Sequence, residues 1–457
     1  VKTAPHDQKG LTTMTQVLND APAYNSLVGR FSAAGEPQWL RDLREKAESL
    51  FAQKGLPDAH DEEWRFTPLG KFPKHEFTRA NQVVPPAELL KAVPETFGGW
   101  RAVIVNGYFV PSLSTLPHPS SGVEVLALDK AIARGGSDLH QHFGRLVPME
   151  ELPFAALNTA QFCEALVVRV ASQAKPALPL ELIFWTIPTE SDPVVSYPRV
   201  LVIAEDASRL SLIEVHAGTG DTPYFTNPVF EFHVKPGARV THYRAQSDTT
   251  VAFHIAAIQA NVRAQGAYEF LGVNYGARLT RVDVRIRLAE PGAETTLYGL
   301  YRIDGDQLSD LHSVIEHAAP HCPSWEVVKG ILEGRAHGVF NGRIIVRPAA
   351  QKTDAKQTNK NLLLSRDAVV NANPQLEIYA DDVKCTHGAT VGHLDEQALF
   401  YLQSRGIAAD QARGLLTYAF ANDVLRRIEV AALREWLELS ILEVEHLAFD
   451  RGLLEVK

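Results

Sequence analysis

The sequence predicts a mainly β chain: a repetitive β core, read as a β-helix in preference to a β-sandwich, between helical regions at both ends. Three observations carry this reading. Short β-branched runs dominate from about residue 160. A turn recurs between them at near-constant spacing. Outside them, apolar residues fall at helical intervals. The 457 residues suit two or three domains, or one elongated repeat. The expected divisions are 1–155, mostly helical, 156–393, the β-helix, and 394–457, a C-terminal helical domain.

In the first region Leu40, Leu43, Ala47, Leu50 and Phe51 share one helical face, and Gly55-Leu56-Pro57 stops the helix. Asp61 to Leu69 follows as a loop, with Trp64 and Phe66 expected to anchor it. Residues 89–149 are mixed, with apolar runs such as Ala102 to Val105. The polar start, Val1 to Gly10, reads as frayed.

In the middle region, strand-like runs are Ala165 to Val170, Leu180 to Trp185, Val200 to Ile203, Leu210 to Val215, Val229 to Val234, Val282 to Leu288 and Ile344 to Val346. The turns Asp206-Ala207, Pro236-Gly237-Ala238, Gln265-Gly266-Ala267 and Pro291-Gly292-Ala293 recur at 31, 29 and 26 residues. Self-similarity at that period points to coils stacked in a solenoid. No long amphipathic helix interrupts them, which disfavours a doubly wound α/β fold.

The last region offers three helices. Asp395 is placed to cap the first, which Gly406 ends. Asp410 is expected to cap the second, with Leu415, Leu416, Ala419, Phe420, Val424 and Ile428 on one face. The third is expected over about 430–447, with Leu433, Trp436, Leu437 and Ile441 inward. Short connections suggest a compact bundle.

A net charge of −9 argues against a dedicated nucleic-acid binder, which needs a positive footprint. No apolar run is long enough for a membrane helix, and no secretory signal is recognised. Three cysteines, Cys163, Cys322 and Cys385, are too few for a disulfide framework and fit a reducing cytoplasm. They are also too few for a self-contained iron–sulfur protein. Phosphate-cradling loops, nucleophile elbows and zinc helices are missing from the sequence.

Three constellations remain. His312, His317, His321 and Cys322 are metal-ligand types close in sequence, but their spacing matches no known ligand box. Surface or internally bonded histidines are the preferred reading. The polar run Ala350 to Asn361 reads by composition as a loop. In a β-helix it reads instead as stacked Asn, Gln and Thr ladders, and this structural role is preferred over catalysis. Cys385 and His387 stand two apart, which on a strand puts both on one face. Two ligands make no stable metal site, so the rest would come from elsewhere. The plain alternative is an inert half-buried Cys beside a hydrogen-bonded His.

Residues 338–413 closely resemble the SufB/SufD family of iron–sulfur cluster assembly proteins. The matching text is Phe340 to Val346, Gln351 to Asp354, Asn361 to Ser365, Pro374 to Cys385, His387 to Thr390 and Leu399 to Gly406. Glu63 to Leu69 is similar to an N-terminal motif of SufD proteins. His387-Gly388 and the scarcity of cysteine favour the SufD branch over the SufB branch.

The resemblance implies a right-handed parallel β-helix, a heterodimer with SufB through it, and an ATPase, SufC, on the C-terminal helices. The SufC side points to Ala409, Leu415, Leu416, Phe420 and Val424. His387 is then expected at the SufB interface, helping to build or hold a nascent cluster with a SufB cysteine. Cys385 is the weaker candidate. The expected chain is cytoplasmic, is not an enzyme, binds no nucleic acid or membrane, and holds no cofactor stably alone. Its cargo would be iron or a transient iron–sulfur cluster shared with SufB. The alternatives are a SufB-like main scaffold and, remotely, a carbohydrate-active β-helix enzyme. The latter has only Asp381-Asp382 as a carboxylate pair, and adjacent strand residues point apart.

Overall fold

A computed structural model describes residues 21–28, 35–85, 91–136, 138–188 and 192–445. Its core is a parallel β-helix built from two long sheets. One runs in space from Val369–Ile378 through His337–Val346, Leu308–His317, Leu279–Leu288, Phe253–Val262 and Val229–Val234 to Arg199–Ala204 and Ala165–Val170. The other runs from Lys384–Gly392 through Asp354–Leu363, Pro323–Leu332, Glu294–Ile303, Ala267–Gly276, Arg239–Asp248 and Arg209–Gly218 to Leu180–Thr186 and Trp100–Val105. Sequential strands alternate between sheets, so each coil contributes one strand to each. Residues one coil apart lie side by side, as Leu279 does between Phe253 and Leu308.

The recurrent turn is the corner of each coil. Gln173, Ala207, Gly237, Gln265, Gly292, His321 and Lys352 all take positive φ there. Their amides form a ladder: Ala207 donates to the Pro236 carbonyl, Gly237 to Ala264, Gln265 to Pro291, Gly292 to Pro320, His321 to Gln351 and Lys352 to Asp382. A left-handed residue is required at each corner, and stacking outweighs its cost where that residue is not glycine.

Three apolar layers hold the molecule. The solenoid interior is filled by residues such as Leu212, Phe230, Val240, Ile258, Phe270, Leu297, Ile315 and Phe340. The N-terminal helices cover the outer face of the first sheet, burying Leu40, Phe51, Trp64, Phe72 and Phe154 against Leu201, Phe225 and Phe253. The buried Glu231 carboxylate pins that layer: it accepts the Gly144 and Leu146 amides and pairs with Arg199 at 2.5 Å. The C-terminal helices cover the second sheet, with Ala421, Val424, Leu425, Leu433 and Ile441 against a layer that includes Trp185, Ile213 and Val215.

Some expectations hold and several are corrected. The C-terminal helices Glu396–Ser404, Ala409–Leu425 and Ala431–Val444 pack on one another as expected, and the last two also pack on the second sheet. Asp395 does cap the first, accepting the Gln397 amide at 2.8 Å. Asp410 does not cap the second, whose N-cap is Ala408. The buried face of that helix is Ala412, Gly414, Thr417, Tyr418, Ala421, Val424 and Leu425, while Leu415 and Ala419 face solvent. Small residues and Thr417 let the helix sit close to the sheet, which an apolar-stripe reading does not anticipate. Leu447 and Val1 to Gly10 lie outside the described residues.

The region before residue 156 is less helical than expected. Trp100–Val105 already belongs to the second sheet, paired in parallel with Leu180–Thr186. Phe66 is exposed and does not anchor its loop; Trp64, Thr67 and Leu69 are buried instead, with Thr67 Oγ1 donating to Asp310.

Candidate functional site

The two ends of the solenoid differ. At the N-terminal end antiparallel strands, Val123–Ala127 and Tyr108–Phe109, close the sheets. At the other end Val369–Ile378 and Lys384–Gly392 are the last strands of their sheets. Their residues are largely exposed or half-buried, including Val369, Ile378 and Val391. Unpaired edges of this length are templates for another chain.

Cys385 and His387 stand on that last coil. Their register partners are Ala355 and Gln357, both buried on the inward face of Asp354–Leu363. The two side chains therefore share the inward column, as their spacing predicts. Cys385 is half-buried against the interior core, and burial pushes its thiol up from the usual value. His387 is exposed, because no further coil covers it. Pro374 and Gln375 are on the neighbouring edge strand.

The polar run Ala350 to Asn361 is not a surface loop. Gln357, Asn359 and Asn361 point inward and are buried. Gln357 Nε2 donates to Glu326 Oε2 at 2.7 Å, Asn359 Nδ2 to the Val328 carbonyl at 3.3 Å, and Asn361 Oδ1 accepts the Tyr301 hydroxyl at 2.6 Å. This is the ladder reading. Asp381 and Asp382 lie in the bend between the last two strands, not on a strand, and Asp382 pairs with Lys352.

The histidine group does not converge. His312 sits in an ion cluster with Glu63 Oε2 at 3.3 Å and Asp310 Oδ1 at 3.1 Å. Burial works against its charge, but Asp310 and Glu63 more than offset this and hold its pKa above the ordinary value. His317 is buried, bonded to Ser324 Oγ at 2.9 Å, and pushed down to about 4 by burial. His321 is a left-handed corner residue, and Cys322 is buried at that corner with its thiol pushed up by burial. Among the described residues no group of three or more His, Cys, Asp or Glu is arranged to hold a metal ion.

Sequence reasoning missed two further polar assemblies. Inside the solenoid, Glu214 joins His216 at 2.6 Å, His242 at 2.8 Å and Arg244 at 3.0 Å; Arg244 reaches His254, which bonds Asp248 at 2.9 Å. All are buried. Their residues are scattered over three coils, so no local motif announces them. Near the N-terminal layer, Cys163 Sγ lies 2.7 Å from Arg79 Nη1, and Cys163 contributes to the wall of a cavity of about 420 Å³. That cavity is lined by N-terminal residues and those just after them, not by the terminal coil.

Of the residues expected to meet an ATPase, Ala409 and Leu415 are exposed, and Leu416 and Phe420 are half-buried. Val424 is buried under the helix and offers no partner surface. The preceding helix Glu396–Ser404 buries none of its residues, and Phe400 and Tyr401 are strongly exposed.

The structure belongs to the class of parallel β-helix proteins, with a Cys–His pair on the exposed last strand of the second sheet among the described residues. Residues 186–420 match the SufBD core domain of the SUF system for FeS cluster assembly, and residues 30–182 match the SufBD N-terminal region. The chain belongs to the SufBD family of iron–sulfur cluster assembly proteins. It is 34% identical over 410 residues to an iron–sulfur cluster assembly SufBD family protein of Synechocystis, covering 87% of this chain and 90% of that one. It is 30% identical over 386 residues to the iron–sulfur cluster assembly protein SufD of Escherichia coli, covering 83% and 87%. It is also 30% identical over 408 residues to the chloroplastic protein ABCI7 of Arabidopsis thaliana, covering 87% and 84%. No helix among the described residues is long and apolar enough to cross a membrane.

Proposed function

We propose that this chain is a SufD-type scaffold subunit, working in the cytoplasm and not itself an enzyme. It pairs with a SufB-type homologue through the last coil and with a SufC-type ATPase through the C-terminal helices. The observation that carries the reading is the exposed His387 beside Cys385 on the inward column of an uncapped coil. A partner coil stacked there would bring its own ligands over these two side chains and complete what they lack. Iron or a nascent iron–sulfur cluster is the cargo, held transiently and shared with the partner.

A neutral imidazole ligates iron, and its second ring nitrogen needs an orienting partner. His387 is the principal ligand in this reading, and Cys385 the subsidiary one. The exposed helix Glu396–Ser404 and the solvent-facing residues Ala409 and Leu415 suit the ATPase contact. Nucleotide closure there would be felt at the terminal coil through the shared sheet. A SufB-like main scaffold is disfavoured, since Cys385 alone of the three cysteines is at the terminal coil.

The test is anaerobic co-purification from the native host with iron and sulfide analysis, for wild type and His387→Ala. Co-elution with a P-loop ATPase and a homologous scaffold is expected in both. Loss of iron–sulfur enzyme activity in cells is expected only in the variant. Normal enzyme activity in His387→Ala cells removes His387 from the site.

A further inference from the structure

His387 continues a column that runs inward through the last coils. Register places Leu297 beside Glu326, Glu326 beside Gln357, and Gln357 beside His387. The column therefore changes from apolar to polar as it nears the open end. Glu326 is fully buried and Gln357 is 1% exposed. Burying two such groups costs roughly 1–3 kcal/mol for each one left unpaired, so a buried polar pair directly beneath the open end calls for a reason.

The amide of Gln357 is half satisfied. Its Nε2 donates to Glu326 Oε2 at 2.7 Å. Its Oε1, on the other branch of the amide plane, is buried without a hydrogen-bond partner. The opposite wall is shaped to admit this amide. A Cβ on Gly342 would lie 2.4 Å from Gln357 Nε2, so only glycine leaves the room. His387 lies on the next strand, about 4.8 Å away along the backbone, and its ring makes no hydrogen bond to the described residues. An acceptor lacking a donor thus stands under an imidazole lacking an orienting partner.

We infer that Gln357 is the positioning residue for His387: its Oε1 accepts one ring N–H, which turns the other ring nitrogen outward as a lone-pair donor toward the shared cargo. Glu326 acts one step further back. By accepting from Nε2 it fixes which way the amide faces, so the oxygen and not the nitrogen is offered to His387. Burial pushes the Glu326 carboxyl up from its usual value, and its hydrogen bonds with Ser313 and Gln357 act against that shift. The inference rests on the assignment of His387 to the site under Proposed function.

The experiment is a double-mutant cycle in cells whose only copy of this protein is the variant. Activity of a resident iron–sulfur enzyme is the readout, and recovery of the chain with its partners is measured alongside. Gln357→Met, near-isosteric but without the acceptor, is expected to lower activity roughly 10-fold, the usual scale for loss of a ligand-orienting bond. Glu326→Leu, which frees the amide to flip, is expected to act in the same direction. Neither is expected to add anything in a His387→Ala background, because both act through that ring. A purely structural role predicts the opposite, an additional loss in that background and a fall in recovered chain.

Activity of Gln357→Met equal to wild type overturns the inference, as does additivity with His387→Ala. If Gln357→Met does not fold, Glu326→Leu carries the same test. A silent His387→Ala defeats the functional assignment itself. A silent Gln357→Met beside an impaired His387→Ala defeats only the positioning role.

Discussion

The Arg281 guanidinium lies 3.9 Å from the centroid of the Trp64 indole ring. The contact fastens the N-terminal segment to the outer face of the solenoid. The same guanidinium reaches Asp283 at 3.0 Å, Asp310 at 3.2 Å and the Glu63 carbonyl at 2.6 Å. It is fully buried, so its charge is matched at close range by Asp283 and Asp310.

Arg281→Met keeps much of the stem and removes the charge. It leaves Asp283 and Asp310 buried without their main cation, which typically costs about 3–5 kcal/mol. Chemical denaturation should register that loss. Hydrogen exchange should also rise first in the segment around Trp64. A variant as stable as wild type would show that the cluster carries no net stability.

Acid should destabilise the fold before carboxylates titrate in bulk. Burial pushes His317 and His254 down to about 4, against about 6.5 when unfolded. Between those values the unfolded chain binds protons that the folded one refuses, so stability falls as pH drops from about 6.5 to 4. Asp248, held down at about 2 largely by His254 despite its burial, adds a further loss below about pH 4. His312 has the opposite sign: its raised pKa contributes stability below about 6.5 that is lost as pH rises through its folded value. Urea midpoints across this range check the slope. His317→Asn should flatten its acidic arm.

The three thiols should react in a fixed order under native conditions. Cys322 is buried, and Cys385 is half-buried against the core; burial pushes both thiols up. Cys163 is half-buried, but it lines the wall of the cavity of about 420 Å³, which gives a reagent access to its sulfur. Timed alkylation followed by peptide mass analysis should find Cys163 modified first and Cys322 last.

Lys329 ties the helix Ala409–Leu425 to the second sheet, with Nζ 2.7 Å from Asp423 Oδ2 and 3.0 Å from the Phe420 carbonyl. Lys329 is buried, so Asp423→Ala strips an almost desolvated ammonium of its counter-charge. A loss of about 1.5–3 kcal/mol is expected, the usual range for a hydrogen bond to a charged group. Faster hydrogen exchange in this helix, with the solenoid unaffected, would confirm that the tether is local.

Gly276 has φ +88°, and a Cβ there would meet the Asp248 carbonyl oxygen at 2.0 Å. Gly276→Ala should therefore destabilise the coil well beyond an ordinary glycine replacement. The thermal midpoint measures it.

The sequence was legible where physics is local. Alternating β-branched runs marked strands to within a few residues, as at Ala165–Val170 and Val229–Val234. The repeated corner was legible because each coil needs a left-handed residue at one position, and Pro-Gly or Asp-Ala supplies it locally. The same-face relation of Cys385 and His387 followed from the two-residue period of a strand. The polar run Ala350 to Asn361 was legible only as a choice between loop and ladder, since composition is the same in both.

What only the tertiary structure decided is what stacks on what. Gln357 is set beside His387 and Glu326 by register, across separations of about thirty residues that no local pattern encodes. The inward helix face at Thr417 and Tyr418 was set by the sheet beneath it, not by its own apolar stripe. The histidines at 312, 317 and 321 looked like a group along the chain, and folding sent them to an ion cluster, a buried serine and a corner. By itself the sequence determined the repeat and the pair of side chains on one strand. The structure determined that this strand is the last, so that His387, on the inward column, stands exposed next to a buried acceptor instead of enclosed in the core.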